Sequence, residues 1–170
     1  MSEPRKNLTW ERRPDEEARN LNPAFCGELI SRAVVEYHKV RQEPFNLAVA
    51  YLVLPLSLHE PTREVLPIRA NVAFVTWVIQ HSPLLVDFPE RLIKLQPITR
   101  EALLFSIRYK ISALNEGGLV PGSNPIKVTV NQKPTTEEVS DVRNCACMLG
   151  RWFARQASNA TILRGFGVEP

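Results

Sequence analysis

The sequence predicts a compact, mainly α-helical domain with one small β-hairpin. Apolar residues recur at helical spacing in several segments, and Pro with a capping residue stands where helices would begin. Two short strand-like pieces lie around one Pro-Gly-Ser-Asn-Pro turn. The chain has 170 residues with 44% hydrophobic and 23% charged composition, which suits a single globular domain with its own core.

Domain organisation divides the chain into two parts. Residues 1–20 carry balanced charge and few apolar groups, so they predict a flexible N-terminal arm. An arm that docks through Trp10 is the alternative. Residues 21–170 are predicted to form the single domain.

The first helix should begin at Pro23, with Asn22 as its cap. Its apolar side chains share one face, and its charged residues lie mainly on the other side. The apolar set is Phe25, Leu29, Ile30, Ala33, Val34, Tyr37 and Val40, and the charged set is Arg32, Glu36, Lys39 and Arg41.

Two apolar segments follow, at 44–59 and 71–83, each either a helix or a buried strand. In the first segment, Pro44 suits a helix start and Pro55 should end the helix. Residues 88–95 then predict a short helix.

A long helix should run from Thr99 to the Gly117-Gly118 pair. Its predicted buried stripe consists of Leu103, Leu104, Ile107, Ile111 and Leu114.

The hairpin is predicted at 119–130, and a helix followed by a hairpin resembles a winged-helix unit. The last long helix should start with a capping box of Thr135 and Glu138. The apolar tail beyond residue 157 should dock on the domain.

A charged triplet occurs twice, as Thr62-Arg63-Glu64 and Thr99-Arg100-Glu101. Each Thr can cap a helix, and each Glu then favours the positive end of the helix dipole. Each Arg opposes that dipole. Arg63 and Arg100 are therefore expected to pair with a buried acid or with a partner protein.

Candidate chemistry is sparse. Cys145 and Cys147 are two apart on a predicted helix and point about 200° from each other, so structural thiols are favoured over metal ligands. No nucleophile elbow or phosphate-binding loop is present. The sequence therefore predicts no catalytic, metal or cofactor residues. A hydrolase would need a pocket that holds Glu28, His59 and Glu64 together.

Basic residues concentrate in the C-terminal third, where they predict a partner-binding surface or simply a solvated helix face. The predicted partner-binding residues there are Arg143, Arg151, Arg155 and Arg164. Lys127 and Lys133 flank the hairpin and could contact a DNA backbone. The net charge of +3 is too small to indicate a nucleic-acid binder by itself.

The location expected for this chain is the cytoplasm. The first twenty residues are charged throughout and do not form a secretory signal. No apolar run is long enough to span a membrane.

Several separated blocks resemble the middle component of bacterial three-component ABC (ABC-3C) systems. The blocks are "LNPAFCGELISRAVVEY", "FNLAVAYLVLPLSLHEPTREVLP", "TREALLF", "GGLVPG", "ACMLGRWFARQ" and "ATILRGFGV". Within those systems they resemble the small C subunit of the Lamassu anti-phage and anti-plasmid systems.

That resemblance implies a non-enzymatic adaptor. It would join an SMC-like coiled-coil ATPase to an effector subunit, a nuclease or another hydrolase, with DNA reached through the complex. It brings no active-site residues and no cofactor. The alternative function is a free-standing DNA-binding regulator of winged-helix type.

Overall fold

The structure is a computed structural model that describes residues 21–128, 135–156 and 158–169. The predicted arm at 1–20, with Trp10, lies outside the described residues, and so does Lys133. The predicted fold class is confirmed, because helices dominate and the β-structure is one small antiparallel sheet.

Helix α1 (Pro23–Arg41) begins where the sequence predicts. The Asn22 side chain accepts a hydrogen bond from the Phe25 N–H at 2.8 Å. Most of the predicted apolar face is buried, but Val40 is 43% exposed. The predicted polar side is wrong for Arg32 and Glu36, which are only 4% and 6% exposed. Helix α1 packs against helices on two sides, α6 (Phe88–Arg108) and α7 (Glu137–Ala154), and this burial extends to its charged residues.

Short elements fill the next segment. They are β1 (Phe45–Asn46), α2 (Leu47–Ala50), α3 (Val53–Ser57), α4 (Glu60–Val65) and α5 (Phe74–Gln80). The predicted stop at Pro55 is wrong, because Pro55 is the third residue of α3, where an N–H would have no partner within the helix. The helix start predicted at Pro44 is also wrong: α2 begins at Leu47 and is capped by Asn46.

Helix α6 is one helix where the sequence predicts two, and Pro97 lies inside it. Thr99 is therefore not a cap. Its hydroxyl donates to the Leu95 carbonyl at 2.9 Å. The helix ends at Arg108, well before the Gly117-Gly118 pair, and Leu104, predicted to be buried, is 59% exposed. Burial on both sides of Pro97, at Phe88 and Ala102, offsets the lost hydrogen bond.

The hairpin lies earlier than predicted. Strands β2 (Ser112–Asn115) and β3 (Gly118–Pro121) pair around Gly117, whose φ of 77° suits glycine. Residues 122–128 add no strand. Strand β3 also pairs with β1, which gives the antiparallel order β1-β3-β2. Strand β1 follows the first helix and pairs with the hairpin formed much later by β2 and β3. This is the connectivity of a winged-helix unit.

Helix α7 starts one residue later than the predicted capping box. Thr136, not Thr135, accepts the hydrogen bond from the Val139 N–H, at 3.3 Å. The short helix α8 (Asn159–Gly165) follows. The predicted docking of the tail is confirmed, because Ile162 and Phe166 are each 1% exposed.

An aromatic cluster closes the core between α5, α7 and α8. Trp152 is fully buried and contacts Phe74 and Trp77, and Phe166 packs beside them. Among the helices that the structure describes, none is long and apolar enough to cross a membrane.

Candidate interaction surfaces

Two ion pairs join α1 to α7. Arg143 Nη2 donates to Glu28 Oε2 at 3.0 Å, and Arg151 Nη1 donates to Glu36 Oε2 at 2.6 Å. The pairs are eight residues apart on both helices, so α1 and α7 run parallel. Each glutamate also holds a cation of its own helix: Arg32 Nη2 lies 2.9 Å from Glu28 and Lys39 Nζ lies 2.7 Å from Glu36.

The structure thus places two of the predicted partner-binding arginines inside the fold's own ion pairs. The Arg143 side chain is 22% exposed and the Arg151 side chain 42% exposed. Their guanidinium groups neutralise the buried Glu36 carboxylate and the partly buried Glu28 carboxylate, which is a structural requirement that the sequence did not reveal.

Glu36 provides a pH-dependent test of this arrangement. Burial raises the pKa of Glu36, but hydrogen bonds and charges from Lys39 and Arg151 outweigh it and leave the pKa below its usual 4.5. The ionised carboxylate therefore stabilises the fold above about pH 4.5, and this stabilisation is lost as the pH falls through the lowered pKa. We expect Glu36→Gln to lower the free energy of unfolding by about 2 kcal/mol at neutral pH and by much less in acid.

Denaturant unfolding at several pH values measures this effect. The matched control is Glu43→Gln, whose side chain is 59% exposed and pairs with Arg41 at 2.7 Å. Such a surface pair should contribute less than about 1 kcal/mol. A Glu36→Gln loss that is equal at all pH values would contradict the electrostatic explanation.

A groove of about 770 Å³ lies between α4, the loop that follows it, and α7. Its charge is mixed, with Arg63 and Glu64 on one side and Asp141 and Arg151 on the other. This alternation does not define a site for an anion or for a cation.

The two cysteines of α7 line the same groove without a chemical role that the geometry supports. Burial raises the pKa of Cys145 to about 12, and burial also raises the pKa of Cys147 despite the nearby Arg32 guanidinium. Both thiols are therefore protonated at neutral pH and are poor nucleophiles. Within the described ranges no three His, Cys, Asp or Glu side chains are grouped as metal ligands.

The first charged triplet belongs to α4 and is structural. Thr62 is not the cap, because α4 begins after His59. The buried Thr62 hydroxyl lies 2.8 Å from His59 Nδ1 and accepts from Arg91 Nη2 at 3.3 Å. Arg91 also contacts the His59 ring nitrogen, so this cluster ties α4 to the start of α6. Arg63 Nη1 donates to the Ser57 carbonyl at 2.8 Å, at the end of α3, rather than to an acid.

The hydrolase arrangement is not formed. Burial, with the charges of Arg91 and Arg63, lowers the pKa of His59, so its ring is neutral near neutral pH. Glu64 lines the groove, whereas Glu28 and His59 do not. Glu28 is held by Arg32 and Arg143 instead.

The second triplet lies in the middle of α6, where Arg100 is on an exposed face and Thr99 is buried. Ile93 is 67% exposed and Leu104 is 59% exposed. Arg100 and Arg108 are exposed on the same side and make no hydrogen bond or ion pair with any residue that the structure describes. We call Ile93, Pro97, Arg100, Leu104 and Arg108 the α6 face. The sequence contained one indication of this exposed face, the adjacent pair Leu103 and Leu104. Adjacent residues point in different directions on a helix, so one buried face cannot cover both.

A second exposed apolar face lies on α5. Val75 and Ile79 are four residues apart and are 55% and 69% exposed. Trp77 points the other way into the core and donates from Nε1 to the Val65 carbonyl at 2.9 Å. We call Val75 and Ile79 the α5 face. The apolar run at 71–83 predicted a helix or a buried strand and did not indicate that one side would be exposed.

The remaining predicted contacts stay predictions. Arg155 and Arg164 are exposed at the end of α7 and in α8. Lys127 is exposed in the segment that follows β3.

These features define a helical protein with exposed helix faces and a sheet in winged-helix order. A family model described as "ABC-three component (ABC-3C) system Middle Component 3" matches residues 10–170. The chain therefore belongs to the Middle Component 3 family of ABC-3C systems. This confirms the resemblance to middle components and implies an accessory role beside partner components. No curated protein and no solved structure matches the chain.

Proposed function

We propose that this protein is a non-enzymatic adaptor that holds two partner components of its three-component system together. In the finer form that the Lamassu resemblance implies, the partners are an SMC-like ATPase and an effector in the cytoplasm. Family membership supports the presence of partners. The proposal adds that this chain contributes binding surfaces and no catalytic group.

The observation that carries this proposal is the pair of exposed apolar faces. Both tryptophans and most phenylalanines of the described residues are buried, yet Ile79 on α5 and Ile93 and Leu104 on α6 are each more than half exposed. Exposed isoleucine and leucine grouped on helix faces mark interaction sites in proteins that otherwise bury such residues. Two faces on two helices provide for two partners.

The alternative, a free-standing DNA-binding regulator, rests on the winged-helix order of the sheet. The hairpin turn that would act as the wing contains Glu116, whose carboxylate disfavours a phosphate backbone. Two of the arginines predicted to bind partners, Arg143 and Arg151, are already paired with glutamates. These contacts reduce the positive charge that is free to meet DNA.

Co-expression with the other two components of its own system tests the adaptor. We expect all three proteins to co-purify. Ile79→Asp should release one component and Leu104→Asp the other, because each places a carboxylate in one apolar contact. Val40→Asp is the matched control, since Val40 is 43% exposed but lies on α1, outside both faces. Circular dichroism should show that all three variants remain folded.

Two results would contradict the proposal. One is a native purification in which neither component accompanies the wild-type chain. The other is specific nanomolar binding of the isolated chain to duplex DNA, with affinity that falls steeply as salt is raised, as a regulator would show.

A further inference from the structure

We propose that the α6 face binds an acidic amphipathic helix of one partner component. This inference rests on the proposed adaptor function, and it names the chemistry of one of the two partners. Its basis is the spacing and exposure of the α6 face and the two arginines there that pair with no acid among the described residues.

The spacing of the α6 face is that of a helix-packing seam. Its residues 93, 97, 100, 104 and 108 follow one another at intervals of four, three, four and four along a continuous helix. Alternating intervals of three and four form the seam by which one helix packs on another. At 1.5 Å per residue the seam is about 22 Å long, which matches roughly four turns of a partner helix.

Apolar contacts on this seam are available to a partner. Ile93 and Leu104 are 67% and 59% exposed, while Ala102 and Leu103 of the same helix are buried in the core. Helix α6 therefore has two apolar sides, and only one of them is covered by the described part of the chain. A partner helix with leucine or isoleucine at matching positions would remove the other side from water.

The positive charge of the α6 face determines which polar residues the partner helix, the occupant of this face, should carry. Arg100 and Arg108 project from the seam and pair with no carboxylate in the described residues. Arginine forms its strongest contacts as a fork on a carboxylate, as Arg143 does here with Glu28. The occupant should therefore present Asp or Glu beside its apolar positions, at a spacing that reaches both arginines.

Pro97 leaves one backbone acceptor of the α6 face available to a partner. It lacks an N–H, so the Ile93 carbonyl cannot receive its usual hydrogen bond within α6. That carbonyl belongs to the α6 face and can accept a hydrogen bond from a side chain of the occupant.

A nucleic acid fits this face less well. The winged-helix order would place α6 next to DNA, because α6 directly precedes the hairpin. Phosphates, however, gain nothing from the exposed Ile93 and Leu104. Apolar and basic side chains together favour an acidic amphipathic helix.

Site-specific photo-crosslinking in the assembled complex tests the inference. A benzoylphenylalanine in place of Leu104 should crosslink to one component only. The crosslinked residues should be three or four apart within a segment rich in Asp and Glu. The same probe in place of Ile79 should not reach that segment.

Charge reversal gives the second measurement. Arg100→Glu should weaken binding of the crosslinked component at least about tenfold, and a Glu→Arg change in the crosslinked segment should restore it. Arg69→Glu is the matched control, because Arg69 is also exposed but lies in the loop before α5. The control should bind as the wild type does.

The outcomes separate this inference from the adaptor function. If both components co-purify but the probe at 104 reaches neither, the α6 face is not the interface and the adaptor stands. If Arg100→Glu abolishes binding of the complex to duplex DNA and leaves component binding unchanged, the face binds nucleic acid and the inference is wrong. If no component co-purifies, both proposals fall.

Discussion

Replacing Gly150 by valine should prevent the chain from folding, and Gly150→Ala should already destabilise it by about 3 kcal/mol or more. A Cβ atom at Gly150 would lie 2.2 Å from the Ala33 carbonyl oxygen and 2.9 Å from the Ala33 Cα. Both are backbone atoms of α1, so no side chain can rotate to make room.

The clash could be relieved only if α1 and α7 moved apart, and this movement is also opposed. The Glu28–Arg143 and Glu36–Arg151 pairs flank the Gly150 contact along α1 and hold the helices together. Alanine gains up to about 1 kcal/mol of helix propensity over glycine, which is smaller than the cost of the clash. Because a domain is stable by only about 5–15 kcal/mol, the larger valine should exceed what the fold can tolerate.

Expression of folded protein, with denaturant unfolding of any variant that folds, measures the effect. Asn144→Ala is the control, because Asn144 is exposed on the same helix and should change stability by less than about 0.5 kcal/mol. A Gly150→Ala variant with an unchanged unfolding midpoint would show that α1 and α7 do not approach this closely.

Trp152→Ala should cost about 3–5 kcal/mol of unfolding free energy. Trp152 is fully buried and meets the Trp77 ring edge-on, with ring centroids 5.3 Å apart. Its indole Nε1 also donates to the Val72 carbonyl at 2.9 Å, just before α5. The alanine variant would lose the ring contacts and leave that carbonyl without its donor.

Trp152→Phe separates these two contributions. It keeps a ring in the cluster but removes the hydrogen bond to Val72, which should cost about 1–2 kcal/mol in addition to a small packing loss. Tyr109→Ala is the aromatic control, since Tyr109 is 55% exposed and should matter little for stability. Equal losses for Trp152→Phe and Trp152→Ala would contradict a packing role for the cluster.

The Trp152 contacts also have a consequence for function. Phe74 and Trp77 belong to α5, and both pack on Trp152. The opposite side of α5 presents Val75 and Ile79 to solvent. The buried cluster therefore orients the α5 face, and loss of binding at that face should accompany destabilisation in Trp152 variants.

Local signals predicted the features that depend on neighbouring residues. Asn22 followed by Pro23 marked the start of α1, and the structure shows the predicted cap. The mainly helical class followed from apolar periodicity. The cluster of turn residues predicted a small hairpin but placed it too late in the chain.

Errors arose where distant contacts override local preference. Pro97 ends an isolated helix, but α6 continues through it because the core covers both halves. Thr62 and Thr99 have the composition of caps, yet one bonds to a side chain of α6 and the other to a carbonyl one turn back. The hairpin is β2–β3 and not the predicted one, and β3 also pairs with β1, more than seventy residues earlier.

The sequence by itself determined the helical class, the start of the first helix and membership of a middle-component family. Tertiary structure decided which arginines are free, because a guanidinium group finds its partner in space. Arg143 and Arg151 met glutamates that α1 brings alongside α7, and Arg63 met a carbonyl at the end of α3. Arg100 lies on the solvent side of α6, where the described chain offers it no acid. Packing thus makes Arg143, Arg151 and Arg63 part of internal contacts and leaves Arg100 on a surface that another protein can reach.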